Sequence, residues 1–134
     1  VASLVILRKR LSHAGHDWYA GGLSAVATRK DLRGQGHGNT LVVAARAEIA
    51  AMGLDLGIFT CDRHLLEFYQ RAGWEELPGA VVIGGTSQEP FPSDQPGFDK
   101  VTMGAFLTPT AQTRRESFTH SRIALHPGLI DKLW

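Results

Sequence analysis

The apolar and polar positions along the chain first predict an antiparallel pair of strands. Residues 1–10 begin with β-branched and aliphatic side chains and end basic, which is typical of a strand leaving a core. A polar turn at residues 12–17 leads to a second apolar segment, residues 18–28, which predicts the partner strand. Gly21 and Gly22 interrupt that segment, so we expect a β-bulge there.

The period of the apolar pattern then changes to that of a helix. Leu41, Ala45, Ile49 and Met52 recur at spacings of four, four and three and predict one buried helix face, which Gly53 ends.

A second strand and helix follow. Residues 54–59 predict a short buried strand, and residues 62–71 carry apolar side chains at helical spacing before Gly73.

The last third of the chain predicts two strands, a long loop and a docking tail. The strands are expected at residues 80–83 and 101–107. Three prolines in residues 84–97 argue against regular pairing there, so we expect a loop that acts as a lid. Residues 108–122 are polar and predict no element, whereas apolar side chains return in residues 123–134, which we expect to dock on the core.

Length and composition limit the classes of function. The 134 residues predict one domain, residues 1–134. Fourteen basic against thirteen acidic residues give a net charge of +1, which argues against nucleic acid or a membrane as partner. Cys61 is the only cysteine, so the chain has no internal disulfide or Cys-cluster metal site, and we expect no metal and a cytoplasmic location.

A glycine-rich segment, residues 33–38, lies between a predicted strand and a predicted helix. Backbone N–H groups at a helix N-terminus bind anions, and glycines let the chain approach a diphosphate closely. A dinucleotide fold needs an acidic residue at the end of the next strand, where this chain has Thr60 and Cys61. A P-loop needs Gly-Lys-Ser or Gly-Lys-Thr, and Gly38 is followed by Asn39 and Thr40. Both of these nucleotide sites are therefore disfavoured.

Two segments together carry the pattern of a known superfamily. Arg33, Gly36 and Gly38 match a phosphate signature of Arg or Gln, two residues, Gly, one residue, then Gly or Ala. Residues 62–74 carry Tyr69 and end in Gly-Trp, where the family pattern begins with Asn, carries Tyr and ends in Gly-Phe. On these two segments the sequence resembles the GNAT superfamily of N-acetyltransferases.

The resemblance implies an α/β fold with a mixed, largely antiparallel sheet of about five or six strands flanked by helices. It also implies a cofactor cleft where neighbouring strands diverge. The usual GNAT opening, a strand, two helices and another strand, has no counterpart here. We therefore expect either a chain without its N-terminal portion or a shortened variant that borrows a wall from a partner, for example in a homodimer.

The resemblance also implies acetyl-CoA as the cofactor. Backbone groups of the strand at residues 26–28 would pair with pantetheine, and those of residues 33–38 would hold the diphosphate. Asp62 stands where relatives usually have Asn, and a carboxylate accepts a hydrogen bond but cannot donate one. The predicted cofactor-binding residues are Val26, Ala27, Thr28, Arg33, Gly34, Gln35, Gly36, His37, Gly38, Asn39, Thr40, Thr60 and Asp62.

Two residues are predicted to be catalytic. By resemblance, the Tyr69 hydroxyl faces the coenzyme sulfur and protonates the leaving thiolate. Ser24 stands where some relatives, including aminoglycoside 2′-N-acetyltransferases, carry a Glu base; a serine would position a water or bind substrate. The base stays open between His16, Asp17, Asp99, solvent and a group upstream of Val1.

Cys61 is a candidate for a different mechanism, nucleophilic catalysis by a thiol. It follows a strand and precedes a helix, a setting that lowers the pKa of a thiol and suits a nucleophile. GNAT enzymes generally transfer directly to the amine, so the preferred interpretation is a small buried residue.

The acceptor is expected to be the primary amine of a small molecule. Aminoglycoside enzymes end in an acidic residue near a terminal Trp, and Asp131, Trp134 and Asp99 are the predicted substrate residues here. Trp134 could equally cap a hydrophobic groove. The alternative from another class is a non-catalytic module that binds or senses acyl-CoA.

Overall fold

The computed structural model describes the backbone of residues 2–28 and 37–126, and the side chains of residues 6–23 and 40–126. In this part of the chain the strands, numbered in order, are β1 Ala2–His13, β2 His16–Thr28, β3 Leu56–Asp62, β4 Glu75–Glu76, β5 Val81–Gly85, β6 Pro90–Pro92, β7 Lys100–Phe106 and β8 Arg122–Ala124. The α-helices are α1 His37–Ala51, α2 Leu66–Arg71 and α3 Pro109–Thr113, and 3-10 helices span Arg63–Leu65 and Arg115–Phe118.

The strands form a main sheet and a small one. The main sheet has five strands in the order β1-β2-β3-β7-β4, and the small sheet has the order β6-β5-β8. Among the described residues, every pair in the main sheet is antiparallel except β2 with β3. The expected mixed, largely antiparallel α/β fold is therefore confirmed, with more strands than expected.

The first two strands form a tight hairpin. His13 pairs with His16 across a two-residue turn, Ala14-Gly15, whose φ angles are 51° and 77°. Positive φ at both turn residues matches the twist of the flanking strands. Both strands consequently run further towards the turn than the sequence predicts.

The prediction of a β-bulge at Gly21 and Gly22 is wrong. Gly21 pairs in register with Arg8, and Gly22 pairs in register with Leu7. Gly21 is instead a site of close packing, because a Cβ there would lie 2.9 Å from Cδ1 of Leu54 and 3.1 Å from Cγ2 of Ile49. The glycine lets the helical layer approach the sheet.

Helices cover one face of the main sheet. Helix α1 buries Val42, Ala45 and Ile49, and Ile49 contacts β2 above Gly21. The predicted helix face is therefore half right. Leu41 is only half-buried, and Met52 lies beyond the last turn with 38% of its surface exposed. In the described part of the chain no helix is long and apolar enough to cross a membrane.

The small sheet and its neighbouring loops cover the opposite face. Side chains alternate along a strand, so Trp18 points away from the α1 side on which Gly21 lies. The Trp18 ring is buried, and its centroid lies 5.6 Å from that of Phe118, which in turn lies 5.7 Å from Phe106 of β7. The buried side chains of both layers belong to one hydrophobic core.

The lid expected at residues 84–97 is partly a strand. Pro90–Pro92 pairs antiparallel with β5, from Gly85↔Pro90 to Ile83↔Pro92. Because β6 is the edge of the small sheet, its prolines need not donate to a further strand. The prediction of a loop without pairing is wrong for these three residues and for Gly84 and Gly85, which belong to β5.

The segment for which the sequence predicts no element contains two short helices. Helix α3 begins after Thr108, whose side chain accepts a hydrogen bond from the backbone N–H of Ala111. The start of the tail docks as expected, since β8 pairs parallel with β5 and buries Ile123. Residues 127–134, including Asp131 and Trp134, lie outside the described residues.

Candidate functional site

The parallel strands β2 and β3 diverge soon after they meet. Their ladder consists of two pairs, Ala20↔Leu56 and Gly21↔Gly57. Beyond these pairs β2 continues through residues 22–28 beside β1, and β3 continues through residues 58–62 beside β7. The two continuing segments bound an opening that we call the β2–β3 wedge.

A β-bulge lies in the β2 wall of this wedge. Ser3 pairs with Ala27 and Val5 pairs with Ser24, so Ala25 and Val26 together face one residue of β1. An extra residue bends a strand and increases its twist, which turns the end of β2 away from β3. The bulge is thus three to five residues beyond the glycines where the sequence predicts it.

Residues predicted to bind the cofactor begin within the bulge, at Val26. The backbone of residues 26–28 forms the end of the β2 wall. Residues 33–36, the first part of the glycine-rich segment, lie outside the described part of the chain, and α1 begins at His37 just after them. Thr40 is exposed in the first turn of α1. These assignments stay predictions.

Tyr69 packs against the opposite wall. It belongs to α2 and is 4% exposed, with its ring centroid 4.9 Å from that of Phe59 on β3. Burial raises the pKa of Tyr69 to about 12, with smaller contributions in the same direction from the neighbouring Cys61 and Asp62. The phenol therefore keeps its proton at every physiological pH, as an acid must.

Cys61 does not have the character of a nucleophile. Its thiol is buried, and burial raises the pKa of Cys61 to about 11, against a smaller opposing effect of Lys100. The preferred interpretation, a small buried residue, is therefore confirmed, and the alternative of a lowered thiol pKa is wrong. The thiol faces the packed layer containing Phe59 and Tyr69, where the thiolate would lose its hydration.

Two ion pairs lie where β3 ends. Lys100 Nζ is 2.9 Å from Oδ1 of Asp62, and Arg63 Nε is 2.8 Å from Oδ1 of Asp99. The hydrogen bond and charge of Lys100 lower the pKa of Asp62. The end of β3 and the start of β7 therefore bring a predicted cofactor residue, Asp62, close to a predicted substrate residue, Asp99.

Comparison with known proteins finds similarity in structure alone. No family model and no curated protein sequence matches the chain. A GNAT family N-acetyltransferase (YhbS) from Escherichia coli in complex with CoA has a TM-score of 0.59 and 18% identity, covering 92% of this chain and 59% of that one. The chain has the GNAT fold.

Two further structures agree. A chain of the NatC complex bound to Gag peptide and CoA has a TM-score of 0.57 and 16% identity, covering 80% of this chain and 61% of that one. An acetyltransferase from Bacillus subtilis in complex with CoA has a TM-score of 0.50 and 17% identity, covering 69% and 68%. The chain thus spans about six-tenths of the length of the first two proteins.

On this GNAT fold, two of the candidate bases lie at the wrong end of β2. His16 and Asp17 flank the hairpin turn, and Ser24 is eight residues beyond His16, which is about 26 Å along a strand. Asp17 also accepts hydrogen bonds from Ser12 and Arg10, which lower its pKa. Both residues therefore lie at the end of β2 that is remote from the β2–β3 wedge.

Sequence reasoning missed two residues at this site. Lys100 begins β7 opposite Asp62, and this placement depends on the pairing of strands 38 residues apart. Trp74, known from the sequence only as the end of the Tyr69 segment, packs over Gly57 at the point where the walls diverge. A Cβ on Gly57 would lie 2.6 Å from the Trp74 ring, so this contact fixes the closed end of the wedge.

Proposed function

We propose that the chain is an N-acetyltransferase that transfers the acetyl group of acetyl-CoA to a primary amine of a small molecule. The observation that carries the proposal is the β2–β3 wedge, in which two parallel strands pair twice and then separate. The pantetheine arm of CoA is extended and contains two amides, so it can lie along a strand as a peptide would. The CoA-bound structures of the same fold support this assignment.

Residues of the β2 wall, the glycine-rich segment and the β3 wall would each contact a different part of the coenzyme. Backbone groups of Val26 to Thr28 would hydrogen-bond to pantetheine. The glycine-rich residues 33–38, with Asn39 and Thr40, would donate N–H groups to the diphosphate at the N-terminus of the 15-residue helix α1. Thr60 and Asp62 would contact the arm from the β3 wall.

Tyr69 would supply the proton for the leaving thiol. Its position on the β3 side of the wedge and its raised pKa suit a group that must stay protonated until the thiolate forms. Ser24, next to the bulge, would bind the acceptor or hold a water through which the amine loses its proton to solvent.

The acceptor would enter beside Asp99, whose carboxylate suits a cationic amine. Asp131 and Trp134 complete the acceptor site in this proposal, and the narrower likeness to aminoglycoside 2′-N-acetyltransferases receives no support from the structures compared. The NatC structure holds a peptide together with CoA, so peptide amines belong in any panel of acceptors. A cytoplasmic location and a homodimer also stay proposals.

The test uses the whole 134-residue chain, acetyl-CoA and a panel of small-molecule, polyamine and peptide amines, followed by release of free thiol. Amine-dependent thiol release supports the transferase. Tight binding of acetyl-CoA with no turnover on any amine favours the alternative, a non-catalytic acyl-CoA-binding or sensing module. The substitution of Ser24 for Glu and of Asp62 for Asn favours that alternative. Absence of binding would overturn both.

A further inference from the structure

The Asp62–Lys100 ion pair lies where the β3 wall of the wedge ends, with Asp62 on that wall and Lys100 on β7, the neighbour of β3 on the side away from β2. Asp62 is the last residue of β3, and Lys100, directly opposite in register, is the first residue of β7. The Lys100 side chain is 27% exposed, whereas that of Asp62 is 52% exposed. Lys100 Nζ also lies 6.0 Å from the ring centroid of Phe98, within range of a cation–π contact. The ammonium is therefore held in place from two sides.

Stability is a weak reason for this pair, because solvent-exposed ion pairs contribute little to it. Its hydrogen-bonding pattern is more informative. An ammonium has three donors and a carboxylate has two acceptor oxygens, so each partner has capacity beyond the shared Oδ1 contact. The pair places a donor beside an acceptor without net charge, as the side-chain amide of an asparagine does.

We propose that Lys100 is a binding residue for the acyl donor. Its ammonium donates to a carbonyl oxygen of the pantetheine arm, while the carboxylate of Asp62 accepts from an N–H of the same arm. This inference rests on the proposed function, which puts that arm in the wedge. Lys100 supplies the donor that Asp62 lacks, and it also neutralises a carboxylate that would otherwise repel the anionic coenzyme.

Four variants of the full chain test the inference by calorimetric titration with acetyl-CoA. Lys100→Met should raise the Kd roughly tenfold or more, the range of a hydrogen bond to a charged group. Asp62→Asn with Lys100→Met should return the Kd to within about threefold of wild type, because asparagine provides both groups. Asp62→Ala with Lys100→Met, which is equally neutral at the site, should bind as weakly as Lys100→Met. Arg122→Met removes an exposed ion pair of 3.0 Å to Asp94 on the small sheet and should leave the Kd unchanged.

The comparison of the two neutral double variants is decisive. Equal affinity of the Asn and Ala double variants would mean that charge alone matters and would overturn the proposed hydrogen bonds. A wild-type Kd for Lys100→Met would remove Lys100 from the site.

Titration with 3′-dephospho-CoA distinguishes a contact of Lys100 with the pantetheine arm from a contact with the 3′-phosphate. The loss in Lys100→Met should persist with 3′-dephospho-CoA, and a loss seen only with the 3′-phosphorylated coenzyme would assign Lys100 to that phosphate instead. Failure of the wild-type chain to bind acetyl-CoA is a different result, since it overturns the proposed function itself. Melting temperatures of all variants show whether each is folded.

Discussion

Tyr69 illustrates how burial prepares a single side chain for one role. A phenol in water loses its proton near pH 10, whereas burial against Phe59 raises the pKa of Tyr69 to about 12. Desolvation disfavours the charged form, so the phenol becomes a weaker acid that stays protonated at physiological pH. Such a group can protonate a thiolate but cannot act as the base for the amine.

Tyr69→Phe should lower the rate of acetyl transfer much more than it weakens coenzyme binding. The ring keeps its contacts with Phe59 and Phe68, while the proton is lost. General acid catalysis is typically worth about a hundred- to ten-thousand-fold, and the defect should lie in that range. The measurement is a single-turnover rate, because slow product release would hide part of the loss.

The pH profile of the same reaction provides a control. Tyr69 is active when protonated, so its contribution is present below its pKa and is lost only as pH rises through about 12. The wild-type rate should therefore rise with pH as the amine becomes neutral, with no fall up to about pH 10. A descending limb near pH 8, absent from Tyr69→Phe, would contradict a pKa this high.

Cys61 should react slowly with thiol reagents. With its pKa raised to about 11 by burial, its thiolate fraction at neutral pH is on the order of a hundred times smaller than that of a free thiol, and burial hinders access further. Modification followed by absorbance should be slow in buffer and fast in denaturant. Rapid labelling of the folded chain, together with loss of transfer in Cys61→Ala, would restore the nucleophile hypothesis.

At the scale of elements, the closed end of the wedge depends on one glycine and one tryptophan. Gly57 gives the last pair of the β2–β3 ladder, and the Trp74 ring occupies the space where its side chain would be. Trp74 is 3% exposed and also packs against Phe59, with ring centroids 4.8 Å apart. The ring therefore cannot move aside easily.

Gly57→Ala should lower the free energy of unfolding by about 1–3 kcal/mol, the usual cost of overpacking a core. The added Cβ would begin 2.6 Å from the Trp74 ring, and urea unfolding measures the cost. The same change made in a Trp74→Leu background should cost less, because the smaller side chain leaves room. Equal costs in the two backgrounds would show that the strain arises elsewhere.

The elements that the sequence predicts well are those defined by local chemistry. Gly53 and Gly73 end α1 and α2 with φ of +75° and +94°, a conformation that glycine adopts without strain. The β1–β2 hairpin and the order of strand, helix, strand and helix follow from patterns within a few residues. The superfamily resemblance added the diverging strands, which no local pattern shows.

The elements that the sequence could not predict depend on distant partners. The edge position of β6 makes Pro90 and Pro92 acceptable, and it is set by β5 pairing on its other side with β8, about forty residues away. The bulge lies at Ala25 and Val26, which contain no glycine to mark it. Lys100 joins the site only through the β3–β7 ladder. The catalytic assignment of Ser24 and the substrate assignments of Asp131 and Trp134 stay predictions, because their side chains lie outside the described residues.

At the scale of the whole molecule, a ligand that binds the folded chain must raise its melting temperature. At a hundred times its Kd, acetyl-CoA would add about 2.7 kcal/mol to the free energy of unfolding. We expect a shift of several degrees with acetyl-CoA and none with NAD or ATP at equal concentration, measured by differential scanning fluorimetry. An equal shift with ATP would show that the glycine-rich segment binds anions without reading the pantetheine arm.

The separation of β2 and β3 exposes the protein without bound coenzyme to self-association. Two neighbouring strands that stop pairing inside a sheet present polar backbone edges that another extended chain could join, as happens when sheets aggregate edge to edge. The small sheet limits the same hazard elsewhere with two prolines in its edge strand β6, whereas the proposed function requires the wedge to stay open for the coenzyme. A coenzyme lying between the strands would thus also act as a guard against self-association, and the chain would be most prone to aggregate when its coenzyme is scarce.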